Sequence, residues 1–132
     1  MNNGAMYKLS YGLFVLTAKQ GDKDNGCIIN TAAQVTTTPN RITVAVNKAN
    51  YTHDMIMETK EFNLSILTED SKFDTFKQFG FQSGRDVDKL VEIEYKSSDN
   101  GIVYLTKDVN AYISGKVIDT VDLGTHTLFI AD

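Results

Sequence analysis

The chain has 132 residues, with 13 Lys plus Arg, 17 Asp plus Glu, 2 His, 1 Cys, no Trp and a formal net charge of -4. That length predicts one domain spanning residues 1–132, too short for a catalytic domain plus a separate cofactor domain, and 42% hydrophobic with 23% charged residues excludes a disordered or membrane-embedded composition. An acidic balance with scattered basic residues lacks the electrostatic footprint of a phosphate-backbone binder, so no nucleic-acid partner is expected.

Residues Tyr11 to Lys19 (YGLFVLTAK) are rich in aromatic and β-branched types and predict a strand, followed by the polar stretch Gln20 to Gly26, where Asn25-Gly26 is a turn signal. A return strand is expected over Cys27 to Thr36, a break at Pro39-Asn40, and a shorter strand over Ile42 to Asn47. Asn50 to Thr59 changes character: Asn50 or Thr52 suits a cap, Asp54 suits the first turn, and Met55, Ile56 and Thr59 recur at helical spacing. Phe62 to Thr68 returns to strand, and Phe73, Phe76 and Phe79 predict a second helix over Ser71 to Phe79.

The polar loop Gly80 to Lys89 carries more chemistry than a connector requires. Strands are then expected over Val91 to Tyr95, Ile102 to Leu105, Val109 to Val121 and Thr125 to Ala131, with a turn at Asp99-Asn100-Gly101. Strands joined by turns, interrupted by two short helices, predict a mainly β fold: an antiparallel barrel with two short helical insertions. The strand-like ending at Asp132 leaves open that the chain is the N-terminal part of a longer protein.

Lone Cys27 excludes an intrachain disulfide or a thiolate cage and fits a reducing compartment. His53 and His126 lack partners at metal-ligand spacing, so no metal is expected. Met1 to Tyr7 does not read as a secretory leader, and no apolar run approaches the ~20 residues that span a bilayer. The expectation is a cytoplasmic protein without membrane contact.

The glycine cradles for dinucleotides and nucleoside triphosphates are missing, so a nucleotide has to bind another way. At the strand-to-helix junction, Asn47, Lys48, Asn50 and Thr52 combine one cation with amide and hydroxyl donors beside the first helical turn, which suits a phosphate monoester. The same residues also read as a helix cap with a solvated lysine. Asn30, Thr31, Gln34, Val35 and Thr36 surround the small Ala32 and Ala33; the amides and hydroxyls suit the edge of a planar heterocycle, and equally a threonine-rich edge strand. His126 is either a pocket-facing donor or a hydrogen-bonded strand residue, and Ser83-Gly84-Arg85 either an anion clamp or a surface loop.

Taken in order, YGLFVLTA (11–18), NGCIINTAAQVT (25–36), NKANYTHDMI (47–56), FGFQSGRDVDKL (79–90) and GTHTLFI (124–130) resemble the flavin reductase-like, FMN-binding split β-barrel family over essentially the whole chain. The resemblance is greatest to the flavin domain of high-molecular-weight rubredoxins and NAD(P)H:rubredoxin oxidoreductases, although the chain lacks the Cys-x-x-Cys pairs of a rubredoxin module. It implies a homodimeric split barrel with bound FMN and an NADH- or NADPH-dependent oxidoreductase that passes electrons to rubredoxin, free flavin or a flavodiiron protein. By resemblance, Asn47, Lys48, Asn50 and Thr52 hold the FMN phosphate. Asn30, Thr31, Gln34, Val35 and Thr36 line the ring, above the strand of Cys27 to Ile29. Phe79, Ser83, Gly84 and Arg85 belong to the loop near the flavin, and His126 stands on the nicotinamide or acceptor side as the catalytic candidate. A non-enzymatic FMN-carrying electron-transfer protein is the alternative.

Overall fold

The computed structural model describes residues 3–6, 12–67, 95–106 and 109–132. A short helix, α1 (Asn3–Met6), precedes four strands: β1 (Phe14–Gln20), β2 (Lys23–Ile29), β3 (Ala33–Thr37) and β4 (Asn40–Asn47). Helix α2 (Tyr51–Thr59) leads into β5 (Glu61–Leu67), and the chain ends with β6 (Tyr95–Ser97), β7 (Val103–Leu105), β8 (Val109–Asp122) and β9 (His126–Ala131).

Seven strands form one antiparallel sheet in the order β2-β1-β5-β8-β9-β4-β3, and β6-β7 make a separate ribbon. Strand β8 belongs to both wings of the sheet: Val109 to Lys116 pairs with β5, and Val117 to Asp122 with β9. The wings share one core, to which β1 and β5 bring Leu16, Phe62 and Leu64, β4 and β9 bring Val44, Val46 and Phe129, and α2 brings Met55 and Ile56. Burial of these apolar side chains is the main favourable term holding wing to wing.

The mainly β, antiparallel expectation holds, with one correction. Strands β2 and β3 are not paired with each other, so the sheet is not a closed barrel. One of the expected helices, α2, is present, whereas Ser71 to Phe79, the loop Gly80 to Lys89 and the strand start at Val91 lie outside the described residues.

The first hairpin also differs from its expectation. Gln20 pairs with Lys23, so the turn is Gly21-Asp22, with Gly21 at φ +60. Glycine at the first central position of a two-residue hairpin matches the right-handed strand twist without a Cβ penalty. Asn25-Gly26 instead lies inside β2, where the register sets Asn25 opposite Ala18 and Cys27 opposite Leu16. The return strand expected over Cys27 to Thr36 is two strands: β2 stops at Ile29, and β3 crosses to the other wing to pair with β4.

Strand β1 is buried on both faces from Val15 to Ala18. Leu16 and Ala18 face the main core, while Val15 packs with Leu67, Val103 and Leu105 beneath the β6-β7 ribbon. The ribbon is fastened by polar side chains of β1 and β5: Thr17 donates to the Val103 carbonyl at 2.5 Å, and Leu105 N–H donates to Ser65 Oγ at 3.1 Å.

Candidate functional site

The strand-to-helix junction forms as its local chemistry predicts. Asn50 has extended backbone angles (φ -81, ψ 131), and its side-chain oxygen accepts from Thr52 N–H at 3.1 Å. Asp54 in the first turn complements the helix dipole, and Lys60 ends the helix in a left-handed conformation, donating its N–H to the Ile56 carbonyl. Asn47 Oδ1 accepts from Ala49 N–H at 2.9 Å. Asn47 and Asn50 therefore use their carboxamide oxygens for backbone caps, and neither Nδ2 donates to a described residue.

Pairing of β4 with β9 brings the end of the chain to this junction. Asn47 lies opposite His126, and Lys48 N–H donates to the Thr125 carbonyl at 2.9 Å. The tight β8-β9 connection contains Gly124 at φ +93, and it sets Asp122 beside Lys48, with Nζ to Oδ1 at 2.7 Å. Gly124 N–H donates to the same carboxyl oxygen at 2.8 Å.

The hydrogen bond from Lys48, then that from the Gly124 backbone and the lysine's charge, hold the Asp122 carboxyl below its usual range. A carboxyl depressed in the folded state contributes stability above its unfolded value, and that contribution fades as the pH falls through the depressed value. His126 is half-buried, and Thr125 Oγ1 lies 2.9 Å from its Nδ1.

Of the sequence-expected phosphate ligands, Asn47, Lys48 and Asn50 stand together here, and His126 joins them. Thr52 does not present its hydroxyl to this surface: it is fully buried, and Asn25 Nδ2 donates to Thr52 Oγ1 at 3.2 Å. That bond ties α2 to β2. His53 is buried as well, with Nε2 2.8 Å from Thr127 Oγ1 and Nδ1 3.0 Å from Asp54 Oδ1, which ties α2 to β9.

The second expected group lies along β3, an edge strand exposed at every position. Thr31, just before it, donates to the Ala45 carbonyl at 2.6 Å, and Asn30 is exposed. Gln34 pairs with Ile42, and its Nε2 donates to the Thr36 carbonyl at 3.2 Å and to Asn40 Oδ1 at 3.3 Å. Val35 is the extra residue of a bulge between Gln34 and Thr36, and is 52% exposed. Gln34, Asn40 and Ile42 line an open cleft of about 390 Å³ together with Ile113, Ser114 and Asp132. Since Ile42 and Asn47 lie five residues apart on β4, the cleft and the lysine end are separated by roughly 16 Å of strand. A ligand using both has to span that length. Phe79, Ser83, Gly84 and Arg85 lie outside the described residues.

Sequence reasoning missed Asp122, Asn25 and Thr127. Asp122 approaches Lys48 across 74 positions of sequence, and only the β4-β9-β8 register reveals it. Asn25 carries a local turn signal that concealed its inward position. Among the described residues no three His, Cys, Asp or Glu are grouped to hold a metal ion, and no helix is long and apolar enough to cross a membrane.

A family model described as "Flavin reductase like domain" matches residues 6–132. The chain is 42% identical over 130 residues to a high molecular weight rubredoxin of Moorella thermoacetica, covering 98% of this chain and 57% of that protein. It is 36% identical over 132 residues to a ferric-chelate reductase (NAD(P)H) of Archaeoglobus fulgidus, covering 100% and 78% respectively. Among solved structures, a flavin reductase in its native state superposes with a TM-score of 0.82 at 26% identity, covering 100% of this chain and 84% of that one.

Proposed function

Because the chain belongs to the flavin reductase like domain family and is a flavin reductase-type oxidoreductase domain, we propose that it binds FMN and passes electrons from NADH or NADPH to a second acceptor. The observation that best supports this reading is the exposed Lys48 ammonium standing beside Asn47 and Asn50, whose side-chain oxygens cap backbone N–H groups, with an exposed, threonine-rich edge strand leading away from them. When bound, FMN supplies hydride acceptance and onward electron transfer. Lys48 Nζ and the Asn47 and Asn50 carboxamides hold the phosphate, with Thr52 acting from the interior as an anchor of the helix. The segment from Asn30 to Thr36 lies against the ring, and Gln34 offers its remaining oxygen to a ring N–H. Phe79, Ser83, Gly84 and Arg85 enter the proposal by resemblance alone.

His126 Nε2 is the candidate donor to the nicotinamide or the acceptor, in the tautomer that keeps Nδ1 as acceptor from Thr125. Hydride transfer between stacked rings needs close approach and one open ring face, without a strong acid or base. Rubredoxin, a flavodiiron protein and free flavin are the acceptor classes proposed; kinship to the rubredoxin relative supports the first.

A homodimer belongs to the same proposal. Ile118 and Val121 of strand β8 and the adjacent Leu123, which is 53% exposed, are apolar side chains that a second copy would cover.

The purified protein is expected to be yellow, and anaerobic NADH or NADPH is expected to bleach its flavin absorbance. Photoreduction without bleaching by either nucleotide would favour an electron carrier, and a colourless protein that ignores added FMN would overturn the flavin assignment. Replacing Lys48 with alanine is expected to weaken FMN binding about tenfold, as loss of one charge-assisted hydrogen bond; unchanged affinity in a fluorescence titration would remove Lys48 from the site.

A further inference from the structure

Lys48 has an anion within its own chain. Its Nζ lies 2.7 Å from Asp122 Oδ1, and that oxygen is held in place by Gly124 N–H at 2.8 Å. The lysine end is fixed as well, because Lys48 N–H is bonded to the Thr125 carbonyl. The carboxylate therefore stands on the tight connection that borders the proposed phosphate site, at the same cation a phosphate needs. Both side chains are substantially exposed, 38% for Lys48 and 73% for Asp122, so solvent screens the pair and an incoming anion can compete with it.

We propose that Asp122 is a specificity-determining residue of this site: an internal counter-anion that occupies Lys48 and lowers affinity for flavins bearing a phosphate, without affecting those that lack one. The inference rests on the phosphate reading above. A phosphate must first release Lys48 from Asp122, and then share the surface with a fixed negative charge. An exposed pair of this kind closes with an equilibrium constant of roughly one to five. Repulsion between a carboxylate and a phosphate, screened by solvent and salt across several ångströms, adds a comparable factor. Riboflavin carries the same ring without the phosphate and meets neither obstacle.

The test uses the full chain with flavin removed, titrated with FMN and with riboflavin while flavin fluorescence is followed. Asp122→Asn keeps a side-chain oxygen for Gly124 N–H and removes the charge, so the turn persists; an unchanged melting curve checks this. The variant is expected to bind FMN about five- to tenfold more tightly and riboflavin within twofold of the parent. In a Lys48→Ala background only the part due to direct repulsion is expected to remain, a gain of about two- to threefold.

Weaker FMN binding by Asp122→Asn would mean that the carboxylate positions Lys48 for the phosphate, and would overturn the proposal. Equal changes for FMN and riboflavin, or no change for either, would also overturn it. A parent protein that binds riboflavin as tightly as FMN would overturn the phosphate reading and this inference together, whereas a parent that prefers FMN with an indifferent variant overturns this inference alone.

Discussion

Phe62→Ala is expected to destabilise the protein by about 3–5 kcal/mol in urea unfolding monitored by circular dichroism. Phe62 is fully buried at the bend where β8 passes from one wing of the sheet to the other, and its cross-strand partner is Gly115. A Cβ built on Gly115 would come within 2.6 Å of Phe62 Cζ. The ring thus fills space that any other residue at position 115 would claim. Truncating it leaves a cavity between the wings, in a core that both wings share.

The reciprocal substitution Gly115→Ala is expected to cost about 1–3 kcal/mol by overpacking. In a Phe62→Leu background, where the ring is gone, that cost is expected to shrink; strictly additive losses in the double-mutant cycle would refute the contact as the cause.

Asn63→Asp is expected to cost about 3–5 kcal/mol at neutral pH, the penalty of an uncompensated buried charge. Asn63 is fully buried, and its Nδ2 donates to Ser98 Oγ at 2.9 Å and to the carbonyls of Ile102 at 2.9 Å and Val103 at 3.3 Å. Its Oδ1 accepts from Ser114 Oγ at 2.7 Å and Asn100 Nδ2 at 3.1 Å. The substitution keeps the shape and replaces the donor with an anion facing two carbonyl oxygens. Burial and those oxygens raise the new carboxyl's pKa in the folded state, so the penalty is full above that raised value and diminishes as the pH falls through it. Urea unfolding at several pH values checks the sign, and amide exchange at Val103 and Leu105 reports loosening of the β6-β7 ribbon. A loss independent of pH would show that the lost donor, not the charge, is responsible.

These two neighbours show which parts of the fold are legible in sequence. Phe62 to Thr68 is expected as a strand, and β5 is that strand, with the polar Asn63 and Ser65 alternating with Phe62, Leu64 and Ile66. Its polar face is buried, however, because Asn63 and Ser65 hold down the β6-β7 ribbon. Alternation reports polarity, while burial depends on what the rest of the chain lays over each face. The same limit explains Asn25-Gly26. Its turn propensity is genuine, but Gly21 supplies a two-residue turn whose register buries Val15 to Ala18, and pairing prevails over local preference.

At the candidate site, α2 and its cap are readable from Asn50, Asp54 and the spacing of Met55 and Ile56, since capping and helical periodicity are properties of neighbouring residues. The ordered segments also carry the family, whose model matches residues 6–132. Three facts are decided only in the tertiary structure: Thr52 turns inward to Asn25, His126 stands opposite Asn47, and Asp122 meets Lys48. Each joins residues far apart in the chain, and what brings them together is the packing of α2 against the sheet and the pairing of β4 with β9 and β9 with β8. The sequence by itself determines which polar and charged groups are available to the candidate site, because that is residue chemistry; strand register decides which of them share a surface, because hydrogen bonds need contact and the attraction of exposed charges weakens with distance and salt.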